Sequence, residues 1–159
     1  MIGLLFALAC HPAVEAEPVA AAVGEAFVPT DVQADMIRRL SMRDGAQPCA
    51  EVEAGSVDAA SDLQVIVQRV ELPPVVPMRA AECLIAKGDV AEGELIRWMS
   101  GEDTRGLAML LADRIDTLQA PLAQRVVASG LAGPHAEVVR ARVLKSAAPE
   151  LRALAGGSL

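Results

Sequence analysis

"SVDAASDLQVIVQRVELPPVVP", Ser56 to Pro77, decides between a helical chain and one organised on a sheet. Its apolar residues Val57, Ala60, Leu63, Ile66, Val67 and Val70 recur at spacings of three and four, the period of one face of a helix. The alternation that a half-buried strand requires holds only over Leu63, Val65 and Val67, too few residues to carry a sheet. The stretch reads as a helix. Pro73, Pro74 and Pro77 then end it, because prolines this close together leave too few backbone donors for either ladder.

Upstream, Thr30-Asp31-Val32-Gln33 has the spacing of a capping box and predicts a helix to about Met42, with Val32, Met36, Ile37 and Leu40 on one side. Gly45 and Pro48 in "RDGAQPC" predict a break after it. Downstream, Pro77 predicts a helix start, Met78, Ala81, Leu84 and Ile85 its inward stripe, and Gly88 its end. Asp89 with Glu92 predicts the cap of a helix to about Met99, carrying Leu95, Ile96 and Met99 inward. Leu107, Leu110, Leu111, Ile115 and Leu118 make the strongest stripe of the chain, and their helix is expected at the centre of the core. Pro121, Pro134 and Pro149 each precede an apolar run, predicting helices near 120–131, 134–147 and 149–155. The fold class is therefore all-α: short helices on short turns, stacked as antiparallel pairs or as an irregular bundle.

The bulk composition narrows the function. Of the 159 residues 53% are hydrophobic but only 2% aromatic, so the core must be knit from Ala, Val, Leu and Ile. Tyr is absent, and beyond Phe6 only Phe27 and Trp98 offer such rings; stacking platforms for single-stranded nucleic acid are missing. A net charge of −7 repels a phosphate backbone, and nucleic acid is excluded as a partner on both grounds.

The N-terminus points to export. Ile2 to Ala9 is an apolar run far below the roughly 20 residues that span a bilayer, but it has the size of a secretory core segment. It closes on Ala7-Leu8-Ala9, a small-x-small cleavage pattern, and Pro12 breaks any helix beyond. The segment from His11 to Pro29 is rich in Ala, Glu and Pro and reads as a tether. Ala7 to Cys10 resembles the lipobox of bacterial lipoproteins, with Ala7 where that family usually has Leu and Leu8 where it has a small residue. The resemblance implies lipid modification at Cys10, a signal peptide over 1–9, a tether over 10–29 and a helical domain over 30–156. Two other readings stand beside it: cleavage without lipid, giving a soluble secreted protein, and an uncut N-terminal helix packed into a cytoplasmic adaptor.

With Cys10 set aside, Cys49 and Cys83 remain, an even number that suits one bridge in an oxidising compartment. Such a bridge closes about 35 residues and adds about 3 to 4 kcal/mol by restricting the unfolded chain. The alternative is equally open: Cys83 lies in an apolar helix, where a free thiol packs as a small hydrophobe. No CxxC spacing is present, so zinc and thioredoxin-like chemistry have no footing.

Pro77-Met78-Arg79-Ala80-Ala81-Glu82-Cys83-Leu84, running on to Lys87-Gly88-Asp89, resembles the second helix of a HEAT-like repeat. Asp103-Thr104-Arg105 with Ala108 and Leu111 echoes it, as do Val139-Arg140-Ala141 with Val143-Leu144 and the fragment Pro149-Glu150-Leu151-Arg152. Spacings of 26, 35 and 12 between the arginines are irregular. The resemblance covers residues 77 to 155 and implies an α-solenoid of stacked helix pairs that presents a surface to a protein partner. The arginines are expected to lie over the apolar stripe or to bond turn carbonyls.

Reaction chemistry is sparse. His11 and His135 are too few for a histidine metal site, and no Ser sits in a nucleophile elbow for a triad with His135, which reads as a solvent-facing turn residue. Asp44 to Asp62 lacks calcium-loop spacing and reads as a solvated acidic face. No catalytic residue, metal or cofactor is assigned. Trp98 is a candidate partner contact, although a ring partly buried beside Met99 is the simpler role. The expectation is a non-enzymatic binding or scaffold protein on the periplasmic side of a membrane, anchored by lipid. A carboxylate-based site on Asp62, Glu82 and Asp103 would instead make it a small envelope enzyme or accessory.

Overall fold

A computed structural model describes residues 26–42 and 47–157, and among them the chain is all-α. Nine helices are present there in order: α1 Asp31–Leu40, α2 Cys49–Val52, α3 Ala59–Val67, α4 Val75–Ala86, α5 Glu92–Ser100, α6 Arg105–Asp113, α7 Ala120–Ala132, α8 Ala136–Val143 and α9 Pro149–Gly156. No strand occurs between Val57 and Val76.

The capping box forms in both directions. Thr30 Oγ1 accepts from the Gln33 backbone N–H at 3.2 Å, and Gln33 Oε1 accepts from the Thr30 N–H at 3.2 Å. Gln33 then donates its amide to Asp62 Oδ1 at 3.0 Å, so the cap of α1 also ties it to α3. Thr30→Ala should lower stability by about 1 kcal/mol, read as a lowered urea midpoint with an unchanged slope.

Several boundaries differ from the sequence reading. α3 starts at Ala59 because Asp58 caps it, accepting from the Ser61 N–H at 3.1 Å, so Val57 falls outside and is fully exposed; Val70, beyond the C-terminus, is exposed as well. α4 begins at Val75 rather than Pro77. Pro77 is its third residue, where a missing N–H still costs no intrahelical bond, and the earlier start turns Val76 and Ala80 inward while Met78 faces out. Gly88 does close α4, at φ +58, a left-handed conformation open to glycine without strain. Asp89 and Glu92 do not cap α5. A 3-10 turn, Gly88–Ala91, intervenes, and both carboxylates reach Arg125 of α7 instead, Glu92 at 2.9 Å from Nη2 and Asp89 at 3.7 Å. Pro134 lies in the turn before α8, not within the helix. Gly45 of the expected break lies outside the described residues, and the four-residue α2 begins directly after Pro48.

The core centres on α5, not on the leucine-rich stripe. Leu95, Trp98 and Met99 are fully buried between α6 and α7. Of the stripe, Leu111 and Ile115 are fully buried but Leu107, Leu110 and Leu118 only half-buried, and α6 ends at Asp113, so Ile115 and Leu118 fall beyond it in a 3-10 turn and the following loop. The reason is layering. α5, α7 and α9 pack in succession as one layer, and α6 and α8 form the other, each crossing to its neighbours in the first. α6 turns only Ala108, Leu111 and Ala112 inward, which leaves the flanks of its stripe at the margin. Gly130 permits the close approach of α7: a Cβ there would meet Met99 Sδ and Val139 Cγ1 at 3.0 Å each. The hairpin α3–α4 extends the stack at its N-terminal end, where α1 and α2 cover it. This arrangement is compatible with a helical-repeat fold.

Polar staples fix the turns. Arg79 of α4 donates to the carbonyls of Leu40 and Met42 at 2.7 Å each, and Arg152 of α9 donates to those of Ser146 and Ala147 at 2.6 and 2.9 Å. Asp116, after α6, accepts from the Ser146 hydroxyl and from the Ala147 N–H at 2.8 Å, joining the α6–α7 turn to the α8–α9 turn. These two bonds, Ser146 first, hold the Asp116 carboxyl below its ordinary range. A depressed folded-state pKa stabilises above the unfolded value and is lost as pH falls through the folded one. Asp116→Asn should therefore be less stable than wild type at neutral pH, with the gap closing below about pH 4. Thermal melts of the pair across that range check it.

Candidate functional site

Cys10 and His11 lie outside the described residues. Cys49 of α2 and Cys83 of α4 are joined, Sγ to Sγ at 2.11 Å, with 34 residues of separation. Lys87 and Glu53 form an ion pair close to the same junction, with side chains 26% and 15% exposed, so the bridge and the pair together hold α2 on α4.

The three carboxylates of the enzymatic reading have separate roles. Asp62 accepts from Gln33 and, at 2.7 Å, from the Ser56 hydroxyl, which fastens α3 to its own N-terminal turn. Glu82 of α4 accepts from Arg114 Nη2 at 2.7 Å, and this bond, the larger influence, holds the guanidinium above its ordinary range. Asp103 is exposed in the turn before α6. The acidic run ending at Asp62 is thus not wholly a solvated face, because Asp62 and Glu53 are engaged in packing the N-terminal end. His135 is half-buried at the N-cap of α8, with Nε2 buried and unpartnered, rather than turned to solvent. Among the described residues no three His, Cys, Asp or Glu side chains gather as a metal site.

Trp98 lies in the core, more deeply than the partly buried ring read from the sequence, and its ring is not available as the partner contact given there as the alternative. Its ring is 0% exposed, and its indole N–H donates to Glu94 Oε1 at 2.6 Å. Its direction is legible locally: Leu95, Trp98 and Met99 stand at i, i+3 and i+4 on α5 and so share the face turned inward.

The described surface opens where α3–α4 meets α5–α6. These pairs approach each other more sparsely than α5 meets α7 or α6 meets α8, and a groove lies on each side. On the α3/α5 side it has a volume of about 530 Å³, with Asp58, Ser61 and Gln64 along one wall, Gly93 and Glu94 along the other, and exposed Val90 at its edge. On the α4/α6 side a groove of about 430 Å³ is bordered by Ile85, Ala86, Thr117 and the Glu82–Arg114 pair. Neither brings two of the three carboxylates together.

Glu94 organises the larger groove. Its side chain is 8% exposed and accepts from Trp98, from Arg97 Nε at 2.8 Å and from Gln64 Nε2 at 2.8 Å, with a further bond from Arg97 Nη2. The Glu94 bond, the leading influence, raises the Arg97 guanidinium above its ordinary range. A buried carboxylate with this many donors is rigidly held, so the wall of the groove is pre-formed. Glu94 is absent from the sequence reading; its spacing of three to Arg97 and four to Trp98 is the local signal that could have found it. The partner Gln64, 30 residues away, has no local signal. Gly93 leaves its part of the wall open, for a Cβ there meets nothing within 4 Å. Such a surface can bind; its polar groups are committed to one another rather than converging on a reacting atom.

None of the described helices is long and apolar enough to cross a membrane. Comparison of the chain with protein-family models, curated proteins and solved structures finds no match.

Proposed function

We propose that this chain is a non-enzymatic binding or scaffold protein of the bacterial cell envelope, anchored by lipid at Cys10 and presenting a HEAT-like helical surface to a protein partner. The observation that carries the binding reading is the pre-formed groove between α3 and α5, whose walls are held by the Glu94 network. Two-layer stacking from α5 to α9 supports the HEAT-like description, as do Arg79 and Arg152, each bonding the carbonyls of a preceding turn. The Cys49–Cys83 bridge supports an oxidising compartment, since cytosolic thiols are kept reduced. A single acyl chain holds a protein only marginally, so the multiple acylation of a lipoprotein cysteine supplies the stable attachment. The separation of Asp62, Glu82 and Asp103 over different junctions supports binding over the carboxylate-site alternative.

The test is a pull-down from membranes of the native host with wild type, Cys10→Ser and Gly93→Arg. The last fills the groove from a position where added atoms meet no neighbour. A protein recovered by wild type and lost with Gly93→Arg, in a chain of unchanged helicity, is the expected result. Recovery of the same proteins by both would remove the groove as the binding site, and membrane attachment unchanged in Cys10→Ser would remove the anchor.

A further inference from the structure

The two walls of the α3/α5 groove differ in chemistry. Asp58, Ser61 and Gln64 stand three residues apart along one side of α3 and its cap. Asp58 Oδ1 accepts from the Ser61 N–H, and among the described residues neither Asp58 Oδ2 nor the Ser61 hydroxyl has a hydrogen-bond partner. Glu94 orients the amide of Gln64: Nε2 donates to Glu94 Oε2, so the carbonyl oxygen is the end of that amide left for a ligand. Glu94 itself is committed, since each of its oxygens already accepts two bonds, from Gln64, Arg97 and Trp98. The rest of the lining is apolar, with Val90 75% exposed at the edge, Leu84 and Ala91 beside it, and no side chain on Gly93. Among the described residues no Lys or Arg lines this groove. Resting on the binding reading of the groove, we propose that its occupant is a partner segment bearing an arginine, whose guanidinium bonds Asp58, Ser61 and Gln64 while its stem lies against Val90 and Leu84.

A guanidinium carries several donors and no acceptor, which matches a wall offering a carboxylate oxygen, a hydroxyl and an amide oxygen. Its aliphatic stem is what the apolar side of the groove can cover. A lysine head is a compact point charge that serves one acceptor well, whereas three acceptors spread along a helix suit the planar fork of arginine. An acidic segment would meet Asp58 with like charge, and a wholly apolar one would take water from three polar groups without replacing their bonds. The distribution of charge agrees. From Gln47 to Gly101, the part of the chain that builds both walls, there are nine Asp and Glu against four Lys and Arg, whereas from Glu102 to Gly157 there are six against seven. The negative excess of these helices therefore belongs to the part that forms the groove, and its field draws a cationic segment there. At about 530 Å³ the groove takes a short segment rather than a lone side chain.

The experiment measures binding of the peptide N-acetyl-Leu-Arg-Leu-amide to the full chain purified from its native host, by calorimetry at low ionic strength, where exposed charges are least screened. The same peptide with citrulline, the neutral isostere of arginine, is the reference. Asp58→Asn removes the charge and keeps the cap of α3, because Asn caps a helix as well as Asp does. Asp103→Asn changes the net charge equally, in the exposed turn before α6. Wild type should bind the arginine peptide saturably and about tenfold tighter than the citrulline peptide. Asp58→Asn should weaken that binding about threefold to fivefold, Asp103→Asn should leave it unchanged, and Gly93→Arg should remove it. The arginine peptide should also displace the host protein that wild type recovers in the pull-down. Equal binding of the two peptides, no saturable binding, or equal losses in Asp58→Asn and Asp103→Asn would overturn the arginine; a host protein still lost with Gly93→Arg would then leave the groove standing as the binding site. Arginine-peptide binding that survives Gly93→Arg overturns its placement in this groove, and a host protein that survives the same substitution takes the binding reading with it.

Discussion

Trp98→Ala lowers the unfolding free energy by about 3 to 5 kcal/mol, the range for removing a large buried ring. Two losses combine. The ring is 0% exposed where α5 meets its neighbours, so truncation leaves a cavity in a close-packed aliphatic core that relaxes only in part to fill it. The indole N–H is also one of the donors to Glu94, and its loss leaves a carboxylate at 8% exposure with reduced compensation. Because total stability is about 5–15 kcal/mol, the variant stands near its folding threshold. Trp98→Phe separates the two contributions by keeping a ring and removing the donor, and should cost about 1–3 kcal/mol. Far-ultraviolet circular dichroism against urea measures both, since neither variant retains the tryptophan. A Trp98→Ala loss below that of Trp98→Phe would contradict the placement of the ring.

Reduction of the Cys49–Cys83 bridge, or its replacement in Cys49→Ala/Cys83→Ala, costs about 3 to 4 kcal/mol for a loop of this length. The effect is local before it is global. α2 has four residues, too few to be helical alone, and it rests on the stack through the bridge, the Lys87–Glu53 pair and buried Val52, with the Glu51 carbonyl accepting from Arg39 Nη1 at 2.8 Å. Without the bridge, amides of residues 49–54 should exchange early while those of α7 retain protection, and the urea midpoint should fall. A midpoint indifferent to reductant would show that the two thiols are not joined in the folded chain.

These two predictions also mark what the sequence could and could not reveal. Where structure is set by residues close in the chain, the pattern is readable: Thr30 and Gln33 cap α1 in both directions, Gly88 ends α4, and Leu63 and Ile66 point inward from a helix rather than a strand. Prolines mislead by a few residues because the first position of a helix, its third position and the preceding turn all tolerate a missing N–H; Pro77 and Pro134 occupy the second and third of these. The centre of the core is not readable, since it depends on which helix the layers enclose. The stripe of α6 is strong, yet α5 lies between two neighbours. The cysteine count offers the Cys49–Cys83 pair as one of two readings, but the bond that Gln64 makes to Glu94, 30 residues on, has no local signal, and only the stacking of the pairs brings its ends together.

Placement in the envelope is the claim on which the proposed function turns, and one measurement addresses it most directly: the intact mass of the chain isolated from its native host without reductant. The account predicts a protein beginning at acylated Cys10 and lighter by two hydrogens for the Cys49–Cys83 bridge. A mass that retains Met1, with both thiols free to alkylation, would contradict it.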